Sequence, residues 1–205
     1  MKIGIMGGTF NPIHLGHLTL AKAAREQIAL DKIWFMPSGL PGHKANTELL
    51  PAQTRFHMVQ LAIEGTPEFE ASSFEINRNG FTYTADTMEA LAKAYPENQF
   101  YFIIGGDSLM KFHYWVRPEV ISAHAILLAA GRNGYSEEEL IRQSDFLKRT
   151  FGTNVCMLDM PTINISSSEI RSCCANLQYE RIKDYLPEQV LHYIMEHKLW
   201  KYPVI

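Results

Sequence analysis

Five short apolar runs punctuate this chain, with helical stretches between them. Lys2–Met6, Lys32–Met36, Gln99–Ile104, Ala125–Ala130 and Asn154–Leu158 each read as a strand. Leu15–Ala29, Gln53–Glu64, Ala85–Ala94 and Ser136–Thr150 read as helices. In the second of these, Phe56, Val59, Ala62 and Ile63 stand at helical spacing, and Ser136 and Glu139 open the fourth with the spacing of a capping box. Phe69–Ile76 reads as extended, and the Pro and Gly of residues 37–42 predict a loop. Alternation of this kind specifies an α/β fold: a doubly wound, mostly parallel, Rossmann-like sheet with helices on both faces. After Pro161 the pattern changes, and Ser166–Ala175 and Pro187–Lys198 read as two helices with no strand between them. The expected organisation is a core over residues 1–160 and a small C-terminal helical subdomain over 161–205, packed on that core.

Composition narrows the functional classes. At ~150 residues per domain, 205 residues make one domain, or one with a small appendage. With 46% hydrophobic and 20% charged residues, the chain is globular rather than disordered. A formal net charge of −3 argues against nucleic acid as a partner and leaves room for a small anionic ligand. The three cysteines, Cys156, Cys173 and Cys174, lack the pattern of a disulfide framework and fit a reducing compartment. No apolar run has the length of a membrane span, and the run before Gly7-Gly8 is short for a signal peptide. The expectation is a soluble cytoplasmic protein with no membrane partner; self-association is left open.

In an open parallel sheet the ligand sits at the carboxyl ends of the strands, so the segments after strands carry the chemistry. The first strand runs into Gly7-Gly8-Thr9-Phe10-Asn11-Pro12-Ile13-His14-Leu15-Gly16-His17. The two glycines allow close approach of a backbone to a ligand. The segment is neither a Walker A loop nor a GxGxxG fingerprint. His14 and His17 are one helical turn apart at a helix start, where free N–H groups and the helix dipole attract anions. Such a pair can also ligate a metal, but no third ligand stands at metal-site spacing, so no metal site is assigned; it can equally serve capping or packing. The second cluster is Ile165-Ser166-Ser167-Ser168-Glu169-Ile170-Arg171, where Ser166 and Glu169 again have capping-box spacing. It reads either as a capped helix with a solvated Arg or as hydroxyls, amides and a guanidinium gathered for phosphate.

The His14-Leu15-Gly16-His17 and Ile165–Arg171 segments resemble the two signatures of the HxGH nucleotidyltransferase superfamily. Pro41-Gly42-His43-Lys44, Arg55-Phe56-His57-Met58, Tyr83-Thr84-Ala85-Asp86-Thr87, Gly105-Gly106-Asp107-Ser108-Leu109, Trp115 and Gly131-Arg132-Asn133-Gly134 follow in the order of the bacterial nicotinate-nucleotide adenylyltransferase family. The resemblance covers nearly the whole chain. It departs at Asn11, where that family often has Asp, and at Gly42, where it often has a second Pro.

The resemblance implies transfer of the adenylyl group of ATP to nicotinate mononucleotide, giving deamido-NAD and pyrophosphate. Relatives that use nicotinamide mononucleotide, phosphopantetheine or glycerol phosphate are the alternatives, and a nucleotide sensor without turnover is a third. It implies catalytic roles for His14, His17, Lys44 and Arg171. Gly7, Gly8, Thr9, Phe10, Ile104, Gly105, Asp107, Arg132, Ser166 and Ser167 join His14, His17 and Arg171 on ATP. His43, Lys44, Thr84, Asp107 and Trp115 are implied on the acceptor, and residues 161–205 complete the ATP site. The expected cofactor is Mg²⁺, carried mainly by the ATP phosphates. As residues, Trp115 also suits the core, Asp107 and Thr84 also suit helix caps, His43 also suits an exposed loop, His57 and His113 receive no role, and the adjacent Cys173 and Cys174 read as packing.

Overall fold

A computed structural model describes residues 1–41, 49–78, 80–131, 134–161 and 164–201. The chain order is β1 (Lys2–Gly8), α1 (Leu15–Ile28), β2 (Lys32–Pro37), β3 (Leu40–Pro41), α2 (Ala52–Ile63), β4 (Phe69–Ala71), β5 (Phe81–Thr82), α3 (Thr84–Ala94) and β6 (Gln99–Ile104). It continues through α4 (Gly106–Lys111), a 3-10 turn (Phe112–Tyr114), α5 (Pro118–His124), β7 (Ala125–Ala130), α6 (Glu137–Phe151) and β8 (Val155–Leu158), and then α7 (Ser167–Ala175) and α8 (Glu188–Glu196). The main sheet has the order β4-β2-β1-β6-β7-β8, and β3 and β5 make a two-stranded sheet. β1 pairs parallel with β6, β6 with β7 and β7 with β8, with Ile5 opposite Phe102 and Ile103 opposite Leu128. The strand order reverses between β1 and β6. Right-handed crossovers running away from that point in both directions put their helices on opposite faces of the sheet. The fold is the doubly wound one that the sequence predicts.

Two compact units share the chain, and neither is contiguous. The first comprises Met1–Gly7, Leu20–Trp34 and Thr82–Thr162; the second comprises Gly8–Thr19, Phe35–Phe81 and Ile163–Ile205. The first unit's core is built on Ile3, Ile5, Phe102, Ile103, Leu127 and Leu128, all buried. Its α6 begins with the expected capping box: Ser136 Oγ accepts from Glu139 N, and the Glu139 carboxylate accepts from Ser136 N. Those hydrogen bonds hold the Glu139 carboxyl below the usual range. The second unit packs α2 against β4 and α8. No helix among the described residues is long and apolar enough to cross a membrane.

Several local expectations are corrected. Phe69–Ile76 is strand only to Ala71; beyond it the chain turns, with Asn77 N donating to Ser73 O. Serines 72 and 73 favour such turns. Leu40–Pro41 is a short strand inside the predicted loop. In α2 the buried residues are Arg55, Met58, Val59 and Ile63, whereas Phe56 and Ala62 are half-buried. The helical stripe is real but rotated, and it begins with an arginine.

Candidate active site

Within the second unit, the chain leaves Gly8 and turns sharply before α1. Phe10 takes a left-handed backbone, φ 48°, although it is buried. A non-glycine residue held there costs free energy and marks a constrained turn. Its ring meets the His17 ring edge-on at 5.1 Å. A Cβ on Gly8 would come within 3.2 Å of the Phe10 ring, so residue 8 has little space for a side chain.

Because α1 starts at Leu15, His14 stands just outside the helix and His17 lies in its first turn. The His14 backbone N–H donates to His17 Nδ1 at 3.2 Å. This is the return arm of a capping box, made by imidazole in place of a carboxylate. The capping reading of this pair is therefore realised, and it has a chemical consequence. With Nδ1 accepting, the proton of neutral His17 resides on Nε2. The two rings stack at 3.8 Å. His14 is buried, and burial pushes its pKa down from 6.5 to about 4, so it is neutral at pH 7. Its buried Nδ1 has no hydrogen-bond partner among the described residues.

The second cluster lies on α7 in the same unit. Ser166 caps the helix, with its Oγ accepting from Glu169 N at 3.1 Å. Ser167 Oγ donates to Pro12 O at 3.0 Å, and Arg171 Nη1 donates to Asn11 O at 3.1 Å. Thus the serine–arginine segment is fastened to the turn before His14. A cleft of about 270 Å³ is lined by Thr9, Phe10, Asn11, His17, Leu49, Ser167 and Arg171. Imidazole, hydroxyl and guanidinium donors line it, and none of these residues is acidic. Such a lining suits the oxygens of a phosphate chain. Cys173 and Cys174 are buried on the same helix, and burial pushes the Cys174 thiol up to about 12.

The first unit holds the remaining predicted residues that are described. Gly7 ends its part of β1, where a Cβ would meet Phe102 Cζ at 3.1 Å. Ile104 closes β6 and is buried. Gly105, rather than Asp107, is the N-cap of α4; Asp107 lies in the first turn, exposed, where its charge complements the helix dipole. Tyr83, rather than Thr84, is the N-cap of α3. Trp115 is half-buried, its indole 6.0 Å from Phe102 and 5.4 Å from Phe112. Asp86 in the first turn of α3 pairs with Arg117. His43, Lys44 and Arg132 lie outside the described residues.

The chain matches the cytidylyltransferase-like family model over residues 5–173. A relative from Lachnoclostridium phytofermentans, named a probable nicotinate-nucleotide adenylyltransferase, is 43% identical over 96% of this chain and 97% of its own. A relative of the same name from Carboxydothermus hydrogenoformans is 38% identical over 98% of both. The chain belongs to the nicotinate-nucleotide adenylyltransferase family. A solved structure of Plasmodium falciparum nicotinic acid mononucleotide adenylyltransferase, complexed with NaAD, shares the fold: TM-score 0.82, 20% identity, 100% of this chain and 99% of that one.

For this member of the nicotinate-nucleotide adenylyltransferase family, the sequence reading left one residue of the cleft region without a role. Arg55 is 1% exposed, and its guanidinium donates to four backbone carbonyls. The available signal was an arginine at the first position of an otherwise apolar stripe, 55, 58, 59 and 63.

Proposed function

We infer that this chain transfers the adenylyl group of ATP to nicotinate mononucleotide, releasing pyrophosphate. The observation that carries the chemistry is the cleft in which His17, Ser167 and Arg171 meet. The acceptor follows from the family, whose relatives match along the whole chain.

The acceptor's 5′-phosphate oxygen bonds to the α-phosphorus, and the bond from that phosphorus to the bridging oxygen breaks. The electron pair leaves on pyrophosphate. No covalent enzyme intermediate is required, so catalysis is positioning and charge stabilisation. The His14 backbone N–H at Nδ1 leaves the proton of His17 on Nε2, and we assign that proton to a non-bridging α-phosphate oxygen. His14, kept neutral by burial and stacked on His17, adds no charge beside it and would donate through whichever ring nitrogen an arriving phosphate selects. Arg171, Ser166 and Ser167 would hold the outer phosphates from the start of α7. On this reading residues 161–205 complete the ATP site, supported by the hydrogen bonds from Ser167 and Arg171 to Pro12 and Asn11.

By family resemblance, Ile104, Gly105 and Arg132 are assigned to adenine, Asp107 to ATP and the acceptor, and His43, Lys44, Thr84 and Trp115 to the acceptor. A half-buried indole offers a flat electron-rich surface to a pyridinium ring. Among the described residues no three His, Cys, Asp or Glu are grouped for a metal ion, and the cleft lining is not acidic. These residues fit Mg²⁺ borne by the triphosphate, where it would neutralise phosphate charge. The three cysteines are free thiols, which supports a reducing, cytoplasmic setting.

The test is pyrophosphate release from Mg-ATP with each candidate acceptor. Nicotinate mononucleotide should exceed nicotinamide mononucleotide by more than about a hundredfold in kcat/KM, since a carboxylate gains charge-assisted hydrogen bonds that an amide does not. Equal use of the two would overturn the acceptor. No release with any acceptor would overturn the reaction.

A further inference from the structure

Arg55 is a buried cation whose hydrogen bonds all go to neutral partners. Nε donates to Leu50 O at 3.0 Å, Nη1 to Thr9 O at 2.7 Å, and Nη2 to Ser38 O at 2.7 Å and Gly39 O at 2.9 Å. Burial lowers its pKa to about 10, which leaves it charged at neutral pH. Removing a guanidinium from water is costly, and an apolar residue of similar volume commonly serves stability at least as well. Its retention therefore points to geometry. The four carbonyls belong to three separate loop stretches: the turn after β1, the exit of β2 and the entry to α2. Leu50 reaches the same turn a second time, its N–H donating to Asn11 Oδ1 at 3.2 Å. Thr9 and Asn11 flank Phe10, with its strained backbone, and all three line the cleft with His17.

We propose that Arg55 is a positioning residue for adenylyl transfer: its planar fork fixes the Thr9–Asn11 turn relative to the β2 exit and the α2 entry, and so sets the shape of the phosphate cleft. It touches no substrate. The proposal rests on the adenylyltransferase reading of that cleft. A lysine in its place keeps the charge but concentrates its donors on one nitrogen, which is unable to serve carbonyls lying along different edges of a guanidinium.

The experiment compares Arg55→Lys and Arg55→Gln with the wild-type chain in the pyrophosphate assay, alongside melting temperature and the KM of each substrate. In whichever variant folds, kcat should fall at least about thirtyfold at a temperature well below melting, while the KM for nicotinate mononucleotide stays within about twofold; misplacing reacting groups by about an ångström costs on this scale. A kcat within about threefold of wild type would overturn the proposal. So would equal deterioration of kcat and both KM values in step with melting temperature, or failure of both variants to fold, because either marks a purely structural residue. An active wild type with an unimpaired Lys variant removes only the role of Arg55. An inactive wild type removes the reaction and this role with it.

Discussion

At the scale of single residues, His14 and His17 are adjacent in space yet differently prepared. His17 has its tautomer set by a backbone N–H, and its substitution by Ala should lower kcat by about 10²–10³, the cost of one preorganised donor to a developing charge. The ATP KM should change less; a His17→Ala variant keeping more than about a third of wild-type kcat would remove the assignment. His14 predicts a stability effect. Its folded pKa, about 4, lies below the unfolded value of 6.5. As pH falls through that interval the unfolded chain takes up a proton that the folded chain refuses, so stability declines from pH 6.5 toward 4 and this contribution then levels off. The full loss is about 3 kcal/mol. Denaturant titrations at several pH values should show a shallower decline in His14→Gln, and an unchanged slope would refute the assignment. Trp115→Ala should raise the acceptor KM about tenfold or more, with the ATP KM within about twofold; the indole's contacts with Phe102 and Phe112 also predict a stability loss of about 1–3 kcal/mol. Equal changes in both KM values would make Trp115 a packing residue.

Among the elements, α6 and α7 supply a matched comparison, since each is capped by a serine that accepts from the residue three positions on. Ser136→Ala and Ser166→Ala should each cost about 0.5–2 kcal/mol in chemical denaturation. The consequences should then diverge. Fraying α7 loosens Ser167 and Arg171, so Ser166→Ala should lose about tenfold in kcat/KM for ATP, while Ser136→Ala leaves it unchanged. Equal kinetics in the two variants would deny α7 a part in nucleotide binding. The elements also show what could be read beforehand. Strands β1, β6 and β7 were legible because parallel strands covered on both faces are apolar nearly throughout, whereas the two-residue β3 and β5 carry no such run. The short helices were not. α4 opens at Gly106, a poor helix former, and the seven residues of α5 are too few to display a period; its signal was Pro118 at the first helical position. The His and Ser-Arg segments were legible as a pair because both sit at helix starts. Arg55 was not, because its partners are main-chain carbonyls, which no side-chain pattern announces.

For the whole molecule, the decisive feature is that each unit is assembled from three separate stretches of chain. Gly8–Thr19, which carries both histidines, belongs with Ile163–Ile205, which carries Ser167 and Arg171. On the ribosome, the histidine turn emerges well before Ile163–Ile205 and must wait for that stretch before its partners exist. Domains ordinarily fold as units during synthesis, but the second unit, built from Gly8–Thr19, Phe35–Phe81 and Ile163–Ile205, has no vectorial shortcut. Nascent chains stalled with Thr162 just outside the exit tunnel should therefore fail to retain an ATP analogue, and release of the remaining residues should restore retention. If the proposed site is right, quality control meets every nascent copy with the Gly8–Thr19 turn exposed and its Ile163–Ile205 partners still missing, and a premature stop codon before Ser166 should yield a product unable to bind nucleotide.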